Sequence, residues 1–360
     1  MTLQHRENVR LLGFDTQDDV ATLPGLLEQA DFVYHLAGVN RPQSQEEFWT
    51  GNAELTEQVC RHLAYAGRKV PVAISSSTQA VLDSPYGVSK REAEKAVFAY
   101  GRRTGAAVYV FRLGNVFGKW SRPEYNSAVA TFCHSVIRDL PIVVRDPNVV
   151  MNLMYIDDIV DAFAALLDRV VSEQDGFCVV RPVHTILLGE IAELVRSFRA
   201  TRELRSIPDV SNPFVRKLYS TYLSYLPTDS FSYPLTVNVD QRGSFTEFIK
   251  TADRGQVSVN ISKPGSTKGN HWHHSKNEKF LVVSGHGMIS FRRVGSEEIF
   301  RYQVSGDRLE VVDIPTGYAH NISNTGTIDL VTVMWCSEVF DPQRPDTFRE
   351  PVELGAKDDH

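Results

Sequence analysis

The sequence predicts two domains of different fold class, an α/β domain with a doubly wound parallel sheet followed by an all-β domain built as an antiparallel barrel. A chain of 360 residues is longer than one typical domain. Short apolar runs alternate with helical patterns in its first half, whereas short β runs separated by glycine-containing turns follow residue 236. We expect the α/β domain over residues 1–205, a connector over 206–235 and the barrel over 236–350.

Three dense apolar runs in the first half predict strands that are covered on both faces. These runs are Asp31–Gly38, Val70–Ser76 and Ala107–Leu113. Helical patterns over Glu46–Tyr65 and Gly87–Arg103 separate them. Strand, helix and strand at this spacing indicate a Rossmann-like, doubly wound sheet.

Composition limits the class of protein. Hydrophobic residues make up 42% and charged residues 23% of the chain, as in an ordinary globular protein. The net charge of −6 argues against a nucleic-acid partner. The four cysteines are scattered without a C-x-x-C pair, which indicates reduced thiols. With no signal-peptide pattern and no apolar run that could span a bilayer, we expect a cytoplasmic protein without a membrane partner.

Tyr86 and Lys90 form the first chemical pattern. Their i, i+4 spacing on a predicted helix places phenol and ammonium on one face. A nearby ammonium favours the phenolate, so this tyrosine could exchange a proton at neutral pH. Ser77 ends a predicted buried strand, where its hydroxyl could polarise a carbonyl. Alone, a Y-x-x-x-K pattern is also common on solvated helix faces.

The order of four motifs makes the first pattern more specific. HLAG (35–38), SSS (75–77), PYGVSK (85–90) and RLGNVFG (112–118) follow one another. In this order they resemble the extended short-chain dehydrogenase/reductases, which bind NAD(P) and commonly act on nucleotide sugars. The resemblance implies catalytic roles for Ser77, Tyr86 and Lys90 and a substrate contact for Asn115. It implies cofactor contacts for four further residues, namely Leu36, Ala37, Gly38 and Arg112.

The beginning of the chain departs from that family. A glycine-rich turn after the first strand normally brings backbone N–H groups to the cofactor pyrophosphate, and no G-x-x-G-x-x-G pattern occurs here. Asn8–Phe14 (NVRLLGF) resembles the family's second strand, so we expect an N-terminally truncated Rossmann-like domain. NADPH binding by this chain is accordingly expected to be weak or lost.

The second half carries a metal-binding pattern. His271 and His273 lie two apart on a predicted strand and therefore point to one face, into the barrel interior. Glu278 and His320 are expected to arrive from neighbouring strands. Three imidazoles and one carboxylate suit zinc, iron, manganese or nickel. The spacing G-x5-H-x-H-x4-E-x6-G, with the later PTGYAHNISN (315–324), resembles the two cupin motifs and implies a jelly-roll barrel.

Another segment of the barrel suggests a different use of His271. DQRGSFTE (240–247) resembles the D-x-R-G-x-F-x-E segment of the dTDP-4-dehydrorhamnose 3,5-epimerases. That resemblance implies a diphosphate contact for Arg242, whose guanidinium geometry suits phosphate. It also offers His271 as a catalytic base rather than a metal ligand. His271, His273 and Tyr318 all stay open as the epimerisation base.

Both halves together resemble the bifunctional capsule and O-antigen enzymes that join a reductase to a zinc cupin. The match is carried by GVNRP (38–42), PYGVSK (85–90), VFGKW (116–120), STYLSYLP (220–227), DRGQVSVNISKPG (253–265) and GNHWHHSKNEKFLVVSG (269–285). It implies C3 epimerisation of a UDP-4-keto-6-deoxy-HexNAc in the cupin. It further implies C4 reduction with NADPH in the other domain, a homodimer and zinc. The alternatives are a cupin-only epimerase with an inactive reductase half and a non-enzymatic sugar-binding cupin.

Overall fold

The computed structural model describes residues 2–354, which fall into two compact units. The first comprises the chain up to Arg196 together with Pro213–Tyr225, and the second comprises Ser197–Asn212 and the chain from Leu226 onward. The stretch 206–235, expected to be a connector, therefore contributes to both units and contains a helix, α8.

The first unit alternates strands and helices along most of its length. Its elements are α1 (Leu23–Gln29), β1 (Val33–His35), α2 (Glu46–Phe48), α3 (Leu55–Tyr65), β2 (Val72–Ser77), α4 (Pro85–Thr104), β3 (Val108–Leu113), β4 (Asn115–Phe117), α5 (Ala128–Ile137), β5 (Val150–Tyr155), α6 (Ile156–Ala165), β6 (Glu173–Gln174), β7 (Phe177–Cys178), β8 (His184–Leu187), α7 (Leu188–Leu204, which continues into the second unit) and α8 (Pro213–Leu223). A π-helical stretch, Trp49–Glu54, joins α2 to α3.

The main sheet of this unit has the order β1-β2-β3-β7-β6, with β1, β2, β3 and β7 parallel and β6 antiparallel. One core cluster joins Leu63 of α3 and Val97 of α4 to the sheet. A second cluster packs Phe163 of α6 against Phe111 of β3. These two clusters cover the two faces of the sheet. The predicted doubly wound parallel sheet is therefore confirmed. A smaller sheet, β4-β5-β8, carries Asn115 on β4.

The expected strand at Asn8–Phe14 is wrong, because the structure has irregular chain there. An apolar run forms a strand only where a neighbouring strand supplies ladder hydrogen bonds. Here the Val9 N–H donates to the Arg6 carbonyl in a local turn, and Arg6 is bound through two hydrogen bonds to Asp168. Phe14 nevertheless packs against the first core cluster.

The second unit is the predicted all-β barrel, built from two antiparallel sheets. One has the order β16-β13-β18-β11-β10-β9 and the other β15-β14-β17-β12-β19. The strands are β9 (Val237–Asp240), β10 (Gly243–Thr251), β11 (Gly255–Ser262), β12 (Thr267–Trp272), β13 (Glu278–Ser284), β14 (His286–Arg293), β15 (Ile299–Ser305), β16 (Val311–Ile314), β17 (Tyr318–Asn324), β18 (Leu330–Cys336) and β19 (Phe348–Arg349).

Side chains from both sheets meet in one apolar cluster that includes Phe280, Ile289, Ile322 and Leu330. The fold class predicted for this half is confirmed. Within residues 2–354, none of the helices combines the length and apolar character that crossing a membrane would require.

Candidate active site and metal centre

Helix α4 places the predicted proton-transfer group at its first two turns. Ser84 caps the helix by accepting a hydrogen bond from the Gly87 N–H, and Pro85 occupies the first turn. Lys90 is only 6% exposed, and its Nζ donates to the Ser75 carbonyl over 2.9 Å. Burial lowers the pKa of Lys90 to about 8, although Glu94 opposes this shift. The Lys90 ammonium is therefore held against the backbone of β2 at Ser75.

Tyr86 contacts Ser77, the third residue of the predicted catalytic group. Burial raises the pKa of Tyr86 above its usual value, and a hydrogen bond with Ser77 opposes the increase without cancelling it. The influence that opposes desolvation is therefore the hydrogen bond with Ser77, and not the Lys90 ammonium that the sequence argument invoked. The neutral phenol is the form that can donate a proton. Tyr86 and Ser77 are brought together as expected, Lys90 lies one helical turn further along α4, and the catalytic role of all three stays a prediction.

The segment Leu36–Gly38 follows β1 directly and is exposed. A Cβ added at Gly38 would lie 2.8 Å from Asn52 Oδ1 and 3.1 Å from Lys90 Nζ. Only glycine leaves room for these contacts, so the backbone here runs beside the buried ammonium. An exposed main chain at the carboxyl end of a parallel strand is where a dinucleotide binds in such sheets. These residues therefore fit the predicted cofactor contact.

Asn52 is a residue that the sequence argument missed. It lies on the π-helical stretch and is 1% exposed. Its Oδ1 accepts from the Val39 N–H, and its Nδ2 donates to the Val39 carbonyl and to Ser89 Oγ, all within 3.0 Å. Asn52 thereby fixes the loop after Gly38 to helix α4. π-Helical turns often mark functional sites, but nothing in the local sequence predicts one here.

Arg112 has a different environment from the one predicted. Its Nε and Nη2 donate to the two oxygens of buried Glu94 over 2.9 and 2.6 Å, and its guanidinium lies 3.8 Å from the centre of the Phe177 ring. Glu94 also accepts from Ser76 Oγ. The guanidinium is thus engaged within the protein, and its cofactor contact stays a prediction. Asn115, the predicted substrate contact, is exposed on β4.

The barrel brings His271, His273, Glu278 and His320 into one cluster. Their possible ligand atoms all lie within 4.8 Å of one another. Glu278 Oε2 is 3.5 Å from His273 Nε2 and 3.2 Å from His320 Nε2. These three atoms are buried, and the described part of the chain offers them no well-directed hydrogen-bond partner. Such atoms are costly unless a cation binds between them.

Electrostatics of the cluster also suit a cation. Burial lowers the pKa of His271 to about 3, so its imidazole is neutral at pH 7 and can donate a lone pair. Burial alone would raise the pKa of Glu278, but the adjacent imidazoles of His273 and His320 hold it well below its usual range. Imidazole and carboxylate groups are donors that a divalent transition metal prefers.

Hydrogen bonds from outside the cluster orient its imidazoles. His273 Nδ1 is bonded to the Asp346 carbonyl oxygen and His320 Nδ1 to the Tyr318 carbonyl oxygen, which leaves each Nε2 free to face the centre. The Asp346 carboxylate accepts from the N–H groups of His274, Ser275 and Lys276. These bonds outweigh burial and hold the pKa of Asp346 well below its usual range. Asp346 lies some seventy residues after the loop that it holds, so no local motif indicates it.

Arg242 lies at the turn between β9 and β10 and is exposed. Its Nε and Nη2 donate to Asp240 Oδ2 over 3.1 and 2.7 Å. The guanidinium is available to solvent beside this carboxylate, and the predicted diphosphate contact stays a prediction.

The fold and the two clusters define a class of protein: an NAD(P)-type α/β unit with a Ser/Tyr/Lys group, joined to a β-barrel whose His/Glu cluster could hold a metal ion. Residues 2–179 match the NAD dependent epimerase/dehydratase family, and residues 238–348 match the polysaccharide biosynthesis C-terminal domain.

A relative named UDP-2-acetamido-2,6-beta-L-arabino-hexul-4-ose reductase, from Pseudomonas aeruginosa strain PA103, is 45% identical over 98% of this chain and 95% of its own. The structure of the capsular polysaccharide assembling protein CapF from Staphylococcus aureus is 52% identical, with a TM-score of 0.89 over 93% of this chain and 91% of that one. The spore coat polysaccharide biosynthesis protein SpsL of Bacillus subtilis is 25% identical over 31% of this chain and 81% of its own. The chain belongs to the family of the Pseudomonas reductase, and the resemblance found in the sequence is confirmed.

Proposed function

We propose that this enzyme converts a UDP-4-keto-6-deoxy-HexNAc into UDP-2-acetamido-2,6-dideoxy-L-talose, on the way to UDP-N-acetyl-L-fucosamine for capsule or O-antigen. The barrel inverts C3, and the α/β unit then reduces C4 with NAD(P)H. One observation carries the proposal: a Ser/Tyr/Lys group and a three-His, one-Glu cluster occur in one chain that is 45% identical, over 98% of its length, to a named UDP-sugar reductase.

Reduction at C4 uses the group on α4. NADPH, the proposed cofactor, supplies the hydride. Ser77 donates a hydrogen bond to the C4 carbonyl oxygen, and neutral Tyr86 transfers its proton to that oxygen as negative charge develops. Lys90, whose ammonium is held by the Ser75 carbonyl, is proposed to stabilise the phenolate that remains. The exposed backbone of Leu36–Gly38 and the side chain of Asn115 are the proposed contacts for cofactor and substrate.

Inversion at C3 needs a base and stabilisation of an enolate. The C4 ketone acidifies the C3 proton, which makes removal by a neutral imidazole or a phenolate feasible. His271, His273 and Tyr318 are the candidate bases. The four clustered side chains would hold a divalent metal, proposed to be zinc, which as a Lewis acid can polarise a carbonyl oxygen. His271 is accordingly proposed as a ligand first, with the role of base as the alternative.

Deuterium incorporation separates the two half-reactions. The chain is incubated with the 4-keto substrate in D2O, first without and then with NADPH. We expect deuterium at C3 in both cases and NADPH oxidation in the second. Exchange without NADPH oxidation would support the second candidate, a cupin-only epimerase. The structural observation in its favour is that Glu94 already engages Arg112, a proposed cofactor contact. The absence of both signals would contradict the proposal.

The remaining parts of the proposal rest on the family resemblance. They are a homodimeric assembly, a cytoplasmic location and NADPH rather than NADH as the preferred cofactor. Sedimentation at micromolar concentration and a comparison of the two cofactors in the same assay test them.

A further inference from the structure

One strand of the barrel turns a polar face inward. The buried side chains of β11 are those of Gln256, Ser258, Asn260 and Ser262, each at most 3% exposed. The apolar residues between them are only partly buried. Inward positions of a strand are usually apolar because they pack on the core. The reversal on β11 therefore indicates that this side of the interior meets something polar.

The register of the sheet places Gln256 in the row of a proposed metal ligand. Gln256 pairs with Cys336 on β18, and Cys336 pairs with Glu278 on β13. Directly opposite residues in adjacent strands project to the same face. Neighbouring strands lie about 4.8 Å apart, so the backbones of Gln256 and Glu278 are roughly 10 Å apart across the sheet. Only the short side chain of Cys336 stands between them.

The polar stripe is satisfied at one end and not at the other. Asn260 donates to Ser262 Oγ over 3.1 Å and accepts from Lys268 Nζ over 2.8 Å. Gln256 is 2% exposed, yet no group within residues 2–354 donates a hydrogen bond to its Oε1. A buried unpaired oxygen costs about 1–3 kcal/mol. An amide oxygen accepts hydrogen bonds, so an N–H or O–H group of a bound ligand would satisfy it.

We propose that Gln256 Oε1 accepts a hydrogen bond from the hexose of the nucleotide sugar bound beside His271 and Glu278, and so helps to determine which sugar the barrel accepts. This inference rests on the proposed function. The hexose of a UDP-4-keto-6-deoxy-HexNAc offers two donors next to its reacting carbons, the 3-hydroxyl and the acetamido N–H. One sugar ring can bridge the gap between the Gln256 and Glu278 rows.

The test replaces Gln256 by methionine, which has a similar length but no acceptor oxygen. The readouts are the substrate-concentration dependence of C3 deuterium exchange without NADPH, the metal content and the melting temperature. We expect KM to rise about tenfold or more with the metal content unchanged. The melting temperature should stay the same or rise, because an unpaired buried oxygen has been removed. Ser258→Ala, at the next inward position, is the matched control and should change KM less than about twofold, well within what loss of one neutral hydrogen bond would cost.

A purely structural glutamine gives the opposite pattern. A lower melting temperature of Gln256→Met with an unchanged KM would overturn the inference. Should that variant not fold, Gln256→Asn withdraws the same amide by one methylene, and an unchanged KM there would overturn it equally. If the wild type itself shows no exchange, the proposed function fails instead. Calorimetric titration with UDP-N-acetylglucosamine then tests the inference separately. Weaker binding by the variant than by the wild type would support it, and equal binding would overturn it.

Discussion

The two polar clusters of this chain are both buried, but they differ in how their hydrogen bonds are satisfied. In the α/β unit, Lys90 donates to the Ser75 carbonyl, and Glu94 accepts from Ser76 and Arg112. In the barrel, the facing atoms of His273, Glu278 and His320 have no partner. A satisfied cluster is complete as folded, whereas an unsatisfied one is complete only with a bound group.

This difference shows which part of each site the protein itself supplies. The α/β unit supplies the proposed acid, its hydroxyl partner and a fixed ammonium. The barrel supplies four candidate ligands, and the unpaired atoms among them favour the binding of a cation. Removing the cation should therefore affect folding of the barrel, while changing the Tyr86 group should affect chemistry alone.

The largest expected effect comes from breaking the barrel cluster. His320→Ala should reduce the metal content from about one ion per chain to near zero, because three ligands bind a divalent ion far less tightly than four. Elemental analysis measures this, and melting of the wild type with and without chelator shows the linked loss of stability. His286→Ala, an exposed histidine of the same unit, is the control and should keep the metal. Full metal retention by His320→Ala would contradict the site.

A change in the satisfied cluster should leave the fold intact. Tyr86→Phe removes the proposed acid, so NADPH oxidation should fall about 10²- to 10⁴-fold. The melting temperature and C3 deuterium exchange should not change. The comparison requires the two clusters to act separately. Equal loss of both reactions would contradict it.

Acid should weaken the α/β unit through His35, which is buried at the end of β1. Burial first, and Lys90 second, lower the pKa of His35 to about 4 from an ordinary 6.5. The unfolded chain therefore binds a proton at a higher pH than the folded one does. The resulting stability is present above pH 6.5 and is lost as the pH falls towards 4. Between pH 7.5 and pH 5 the loss is about 2 kcal/mol.

Urea unfolding at these two pH values checks this contribution. His35→Asn should show a smaller pH dependence than the wild type, whatever its absolute stability. An identical dependence in both proteins would assign the effect to other groups.

The smallest expected effect concerns the residue that holds the metal-binding loop. Asp346→Asn weakens the acceptor for three backbone N–H groups and leaves the carbonyl bond to His273 Nδ1 in place. We expect a metal dissociation constant about tenfold higher, measured by chelator competition. Asp341→Asn is the control, because the Asp341 carboxylate accepts from the Gln343 N–H within its own turn. Equal affinities of both variants and the wild type would limit Asp346 to a passive role.

Much of this arrangement could be predicted because it depends on local periodicity. The apolar runs around Ile74 and Val110 became β2 and β3, and the i, i+4 spacing of Tyr86 and Lys90 became one face of α4. The four barrel residues came together because alternation along a strand fixes the side on which His271 lies.

Contacts that join distant segments could not be predicted in this way. Nothing near Arg112 shows that Glu94 lies opposite it, and nothing near His273 shows that the Asp346 carbonyl reaches its Nδ1. The segment Asn8–Phe14 failed for a related reason, since a strand depends on a neighbour as well as on its own apolar residues. The π-helical turn at Asn52 likewise depends on packing rather than on propensity.

Asn270 adds one residue to β12, between Gly269 and His271, and has a φ of +57°. Lys268 pairs with Ile322 and His271 with His320, so both lie on the inward side although they are three positions apart. The strand therefore changes phase at Asn270. Deleting this single residue would reverse the side on which every earlier residue of the strand projects, so the length of this segment is constrained as strictly as the identity of its histidines.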